Sequence, residues 1–146
     1  MSIGRACTPL ALIYDRFVMA CGGLISLQKK STSTNACELF DSLNNRWVSM
    51  PKLNKERSAT SACAFSTEGN FMVYVFPGHA QASWGSIESF DTKGGDVARM
   101  QKSAWVLHQV QEPNFTQSFS FGSLQVNSTE VLVFGGNNAK TYTLNC

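Results

Sequence analysis

The side chains able to do chemistry are few and scattered. His79 and His108 are the only two histidines among 146 residues, and neither has a Cys, Asp or second His at metal-ligand spacing. The five cysteines, Cys7, Cys21, Cys37, Cys63 and Cys146, are odd in number and contain no Cys-x-x-Cys pair, so they do not read as a zinc site. Three lie inside apolar stretches and are expected to be small buried hydrophobes kept reduced. Gly94-Gly95 lacks the Gly-x-Gly-x-x-Gly or Lys-Ser/Thr setting of a phosphate loop and reads as a turn. No Gly-x-Ser-x-Gly elbow presents a nucleophile. Glu38 with Asp41, and Glu88 with Asp91, could serve as paired carboxylates for acid–base work. Their recurrence at matching points of two similar segments favours a structural role. The expectation is a non-enzyme with no catalytic residue, no metal and no cofactor.

Composition narrows the class of partner. The net charge of +2 gives no reason to expect nucleic acid or an anionic membrane. The one basic run, Lys29-Lys30, reads as a loop. Hydrophobic and aromatic fractions are those of a folded protein. No stretch reaches the roughly 18 apolar residues of a membrane helix, and no signal peptide opens the chain, so a cytoplasmic location is expected. The sequons at Asn114 and Asn127 are then chance matches.

The elements are strands. Apolar runs of four to eight residues, rich in Val, Phe and Tyr, are bounded by Gly, Asn, Ser and Asp. One pattern recurs: an apolar strand ending in small residues, at Phe17–Gly23, Phe71–Gly78 and Val131–Gly136. Gly23 and Gly78 are 55 positions apart, Gly78 and Gly136 58. A period near 50 is that of a β-propeller array. Each unit reads as a four-stranded antiparallel meander, with units at 5–56 and 57–110 and a partial one at 115–146. In the first, strands are expected at Arg5–Tyr14, Phe17–Cys21, Ala36–Asp41 and Arg46–Met50, with a polar loop from Leu24 to Asn35. Pro51 ends the fourth strand because it has no N–H for the ladder. No helix is expected. Met100–Val110 is the best helical candidate, and its second half alternates as a strand.

These residues resemble the kelch repeat. The first unit carries the ordered set Gly22-Gly23, Phe40-Asp41, Trp47, Met50-Pro51 and then Arg57. The second has Pro77-Gly78 and Phe90-Asp91, with Val97 where a Trp would fall and Trp105 as the substitute. The third keeps Gly135-Gly136 and an aromatic at Tyr142. The resemblance implies an all-β fold of propeller blades, here about three in an incomplete ring. A longer propeller, several copies, or another chain could complete it. Copper oxidases built on kelch-type propellers need paired His with Tyr and Cys ligands, which two isolated histidines do not supply.

The expected function is a non-catalytic protein–protein interaction or scaffold module, a structural component of a larger, cytoskeletal assembly. The alternatives are the substrate-recognition part of a ubiquitin-ligase adaptor and an enzyme with its site in a completed channel. In a meander, the second-to-third loop and the loop to the next unit emerge at one end. Rigid scaffolds present function on such loops. Lys29, Lys30, His79, Trp84 and Lys140 are the candidate partner-binding residues, Trp84 foremost because aromatics are enriched at interface hot spots. The alternative for Trp84 is that it folds back over its own blade.

Overall fold

The computed structural model describes residues 1–27, 30–110, 121–127, 130–135 and 140–145. Antiparallel sheets dominate. The first has the order β1 (Leu10–Ile13), β2 (Phe17–Cys21), β5 (Cys37–Asp41), β6 (Arg46–Met50). The second contains β7 (Ala62–Thr67), β8 (Asn70–Val75), β9 (Ser86–Asp91) and β10 (Val106–Gln109), paired in sequence order. A third has three strands, β11 (Phe121–Gln125), β12 (Glu130–Gly135) and β13 (Lys140–Asn145). The protein is thus all-β, and no sheet closes into a barrel among the described residues. No helix there is long and apolar enough to cross a membrane.

Three features depart from the expectations above. The segment from Leu24 to Asn35 is not a plain loop: Leu24–Leu27 (β3) and Lys30–Ser33 (β4) form a two-stranded ribbon. Bridges Ala6↔Leu24 and Thr34↔Arg57 pin its base, so the ribbon needs no apolar face of its own. A single helical turn, α1 (Val97–Gln101), lies in the β9–β10 connection. Asp96 caps it by accepting the Arg99 N–H, and Met100 is fully buried; five residues are too few to show a 3.6-residue period. The expected strand at Arg5–Tyr14 shrinks to four residues. Pro9 has no N–H to pair, and Arg5 turns inward to bond the Gly22 and Ala36 carbonyls.

The two four-stranded sheets share one register. Val18 faces Phe40 and Phe40 faces Trp47 in the first; Val73 faces Phe90 in the second. Trp105, one residue ahead of the Val106↔Ser89 pair, falls beside Phe90. The Phe40–Trp47 centroids are 5.2 Å apart and those of Phe90–Trp105 4.9 Å. Trp105 therefore holds the place in its sheet that Trp47 holds in the first. In the third sheet Val131 faces Leu144. Leu144 thus takes the Phe40 and Phe90 position, while Tyr142, opposite Val133, takes that of Glu38 and Glu88.

Packing follows the same order. Ile13, Met19 and Leu39 of the first sheet share a core with Val73, Val75, Phe90 and Trp105 of the second. Cys63, Phe65, Phe76 and Ile87, on the reverse of the second sheet, pack with Val131 and Val133 of the third. A strand covered on both faces has no polar side, which is why Phe71–Phe76 reads as a continuous apolar run. The first strands lie side by side, β1 against β7 and β7 against β11. Crowding at the strand ends explains the glycines. A Cβ on Gly23 would meet Thr8 Oγ1 at 2.1 Å, and one on Gly78 the Ser58 carbonyl at 2.3 Å.

Candidate functional site

Three connections meet at one end of the sheets. They are the β3–β4 ribbon, the segment from β6 to β7, and the segment after β8. Between them lies a cleft of about 490 Å³, lined by Leu24, Ser31, Thr32, Ser33, Glu56, Ala59, His79 and Ala80. Its walls are held by hydrogen bonds. Ser33 Oγ and Ser58 Oγ are 2.7 Å apart. The His79 N–H donates to the Ser58 carbonyl at 2.8 Å. The Arg57 N–H donates to the Thr34 carbonyl, whose own N–H donates to Gly23.

Beneath this rim sits a buried ion pair. Arg57 and Glu88 are both fully buried, with Arg57 Nη2 3.0 Å from Glu88 Oε1. Arg57 also donates to the Phe76 and Ser86 carbonyls and to Ser86 Oγ. Glu88 further accepts from the Asn54 and Lys55 N–H groups. Burial pulls the Arg57 pKa down despite the opposing charge of Glu88. The first sheet repeats the arrangement: Arg5 pairs with Glu38 at 2.7 Å, and the Ser2 N–H donates to Glu38. Burial works to raise the Glu38 pKa, but the Ser2 hydrogen bonds and the Arg5 charge leave it below its ordinary value.

The candidate residues distribute unevenly. His79 is exposed and lines the cleft. Lys30 is exposed at the start of β4, next to Ser31 but outside the lining. Trp84 is half-buried, and its indole Nε1 is enclosed with no hydrogen-bond partner among the described residues. Lys140 belongs to the backbone of β13, and Lys29 and Gly136 lie outside the described residues. Ser31–Ser33 and Glu56 were not among the candidates. Their only sequence signal is that they belong to the two connections a meander brings to one end; no motif singles them out.

The candidate carboxylate pairs are occupied by structure. Asp41 accepts from Arg16 Nε and Nη2 at 2.9 and 2.8 Å, and from Asn44 Nδ2. The Arg16 bonds foremost hold its pKa far below the usual range. Asp91 accepts from Lys93 Nζ at 2.7 Å and from Asn70, which lowers its pKa to about 2. Such groups are tied ions, not proton shuttles. His108 Nε2 is 2.8 Å from Ser89 Oγ across β9 and β10. Among the described residues no three His, Cys, Asp or Glu side chains converge as a metal site. The cleft itself presents the Ser31, Thr32 and Ser33 hydroxyls, the His79 imidazole and the Glu56 carboxylate. No family model and no curated protein matches the chain.

Proposed function

We propose that the chain is a cytoplasmic, non-catalytic protein–protein interaction module built of kelch-like propeller blades, a scaffold piece of a larger assembly. The observation that carries this reading is the convergence of three connections on one polar cleft at a single end of the sheets. The blade reading draws support from the repeated Arg–Glu pair, the repeated Phe–Trp pair and the neighbouring first strands. Sheets that share a register and stack through alternate faces are how radial β-arrays are built.

The partner's contact surface is then polar with few anchors. Ser31, Thr32 and Ser33 offer hydroxyls, His79 an imidazole and Glu56 a carboxylate. A photo-crosslinking residue at Thr32, compared with one at Asn44 in the turn at the opposite sheet end, tests this. Crosslinks to a defined protein from position 32 alone, with affinity lowered at least about tenfold by Glu56→Ala through one lost charge-assisted contact, are the expected result. Equal crosslinking from position 44 would refute the assignment. A metal bound tightly to the purified protein and lost on His79→Ala or His108→Ala would favour an enzyme instead.

A further inference from the structure

The shared register distinguishes two faces on every sheet. Toward the first sheet, the second turns Val73, Val75, Phe90 and Trp105; toward the third it turns Cys63, Phe65 and Phe76. The corresponding leading face of the first sheet carries Leu10, Leu12, Val18, Ala20, Phe40 and Trp47. The corresponding trailing face of the third carries Leu124, Val126, Leu132 and Phe134. No described sheet lies on either face, yet both are apolar. Leu10 and Leu12 are each 56% exposed, Leu124 60%, Val126 56% and Phe134 44%.

The connector before each sheet carries the same mark. Leu53, 2% exposed, is wedged into the core shared by the first and second sheets. The next residue, Asn54, donates its N–H to Glu88 at 2.6 Å. Ser2 donates to Glu38 at 2.7 Å in the matching place. Met1 therefore stands where Leu53 stands, but is 43% exposed. Six of the nine large hydrophobics that are exposed among the described residues thus lie at the two ends of the stack. Exposed apolar patches of this kind mark association surfaces.

We propose that the leading face of one copy receives the trailing face of a second copy, in the manner of neighbouring sheets within the chain. Every junction already present joins a trailing face to a leading face, and the two open faces are one of each. Pairing two leading faces would set Trp47 against Trp47 and leave both trailing faces wet. A head-to-tail contact is heterologous, so it closes when the rotation per sheet allows. Two copies bring six sheets, inside the range of about four to eight over which radial β-arrays close. The contact itself rests on the register of the sheets and not on the cleft. Loss of partner crosslinking at Thr32 therefore leaves it untouched.

Sedimentation equilibrium of the purified chain at micromolar concentration reads it directly. The expected mass is about twice 16.0 kDa, and Leu12→Glu and Leu124→Glu each weaken association at least about tenfold by burying an unpaired charge. Both side chains are exposed in the single chain, so circular dichroism should stay unchanged. Mixing the two variants restores a dimer, because each keeps the face the other has lost. Leu43→Glu, at an exposed turn off both faces, associates as the parent does. A monomeric parent, a Leu124→Glu chain that associates normally, or a mixture no better than either variant alone would overturn the proposal.

Discussion

Arg57→Lys keeps the charge beside Glu88 and removes the geometry, so it isolates what the guanidinium contributes. All five N–H groups of Arg57 have acceptors: Glu88 Oε1 twice at 3.1 and 3.0 Å, Phe76 O at 3.0 Å, Ser86 O at 2.8 Å and Ser86 Oγ at 3.0 Å. An ammonium has three donors on a flexible stem, so at least two of those contacts go unmet. Each buried acceptor left without a donor costs about 1–3 kcal/mol. Asn54 and Lys55 still serve Glu88, which puts Arg57→Lys near the lower end, about 2–3 kcal/mol. Arg57→Ala, which strands a buried carboxylate, should cost about 3–5 kcal/mol. For a chain of this length that is a fall in Tm of roughly 6–20 °C. Arg5→Lys should cost less, because Arg5 Nε has no partner among the described residues and the Glu38 side chain is 8% exposed rather than fully buried. Urea titrations followed by tryptophan fluorescence give the three values. The double variant Arg57→Met with Glu88→Leu should recover only part of the loss: no charge is stranded, but the Ser86 carbonyl loses its Arg57 donor and the Asn54 and Lys55 N–H groups lose Glu88. A cost for Arg57→Ala below about 1 kcal/mol, the range of a surface pair, would refute the reasoning.

Stability should be level near neutrality and fall as pH drops below about 4. The depressed carboxylates Asp41 and Asp91 contribute fully above the unfolded value of 3.8 and lose that contribution as pH falls toward about 2. Asp91→Asn should flatten the acid limb of urea midpoint against pH, and an unchanged limb would show the Lys93 and Asn70 contacts to be idle. Gly78→Ala should destabilise by about 1–3 kcal/mol through overpacking, because the Ser58 carbonyl lies 2.3 Å from the added Cβ and is backbone. A thermal melt unchanged from the parent would refute it. Thiol labelling of the native protein, read by peptide mass, should modify exposed Cys7 and spare buried Cys21, Cys37 and Cys63 until unfolding. Burial first, and the neighbouring Cys37, push the Cys21 pKa well up, so raising pH to 9 should not speed its labelling.

The strands were legible because burial on two faces writes itself into sequence as unbroken Val, Phe and Met runs, as in β2 and β8. Trp105 as the partner of Phe90 was legible too, though α1 and a long turn separate them. The β3–β4 ribbon was not. Its stability comes from bridges to Ala6 and Arg57, and such tertiary anchors leave no periodicity in Lys30–Ser33. The cleft was half legible. Topology places the connections at one end, but which of their residues face each other depends on the ribbon's fold. That is why His79 was found and Glu56 was not. Tyr142 shows the limit of spacing arguments. An aromatic in the expected segment sits two residues from the position the ladder assigns, and only the pairing Val131↔Leu144 reveals it.

Arg57 joins the two halves of the molecule's logic. Its side chain is spent in the core, on Glu88 and the carbonyls of Phe76 and Ser86. Its backbone is spent at the rim: the N–H donates to Thr34, and the carbonyl accepts from Gly23 at 2.7 Å. The adjacent Ser58 fixes Ser33 through its hydroxyl and His79 through its carbonyl. One connector therefore anchors the β3–β4 ribbon and the His79 segment to a buried charge pair, so the cleft cannot open without disturbing the core. This also explains why Gly22 must be glycine. A Cβ there would meet the Arg57 carbonyl at 2.5 Å, and any larger residue would push the connector off both the rim and Glu88. Under the binding role proposed above such stiffness would help, since ordering loops at the moment of association costs affinity.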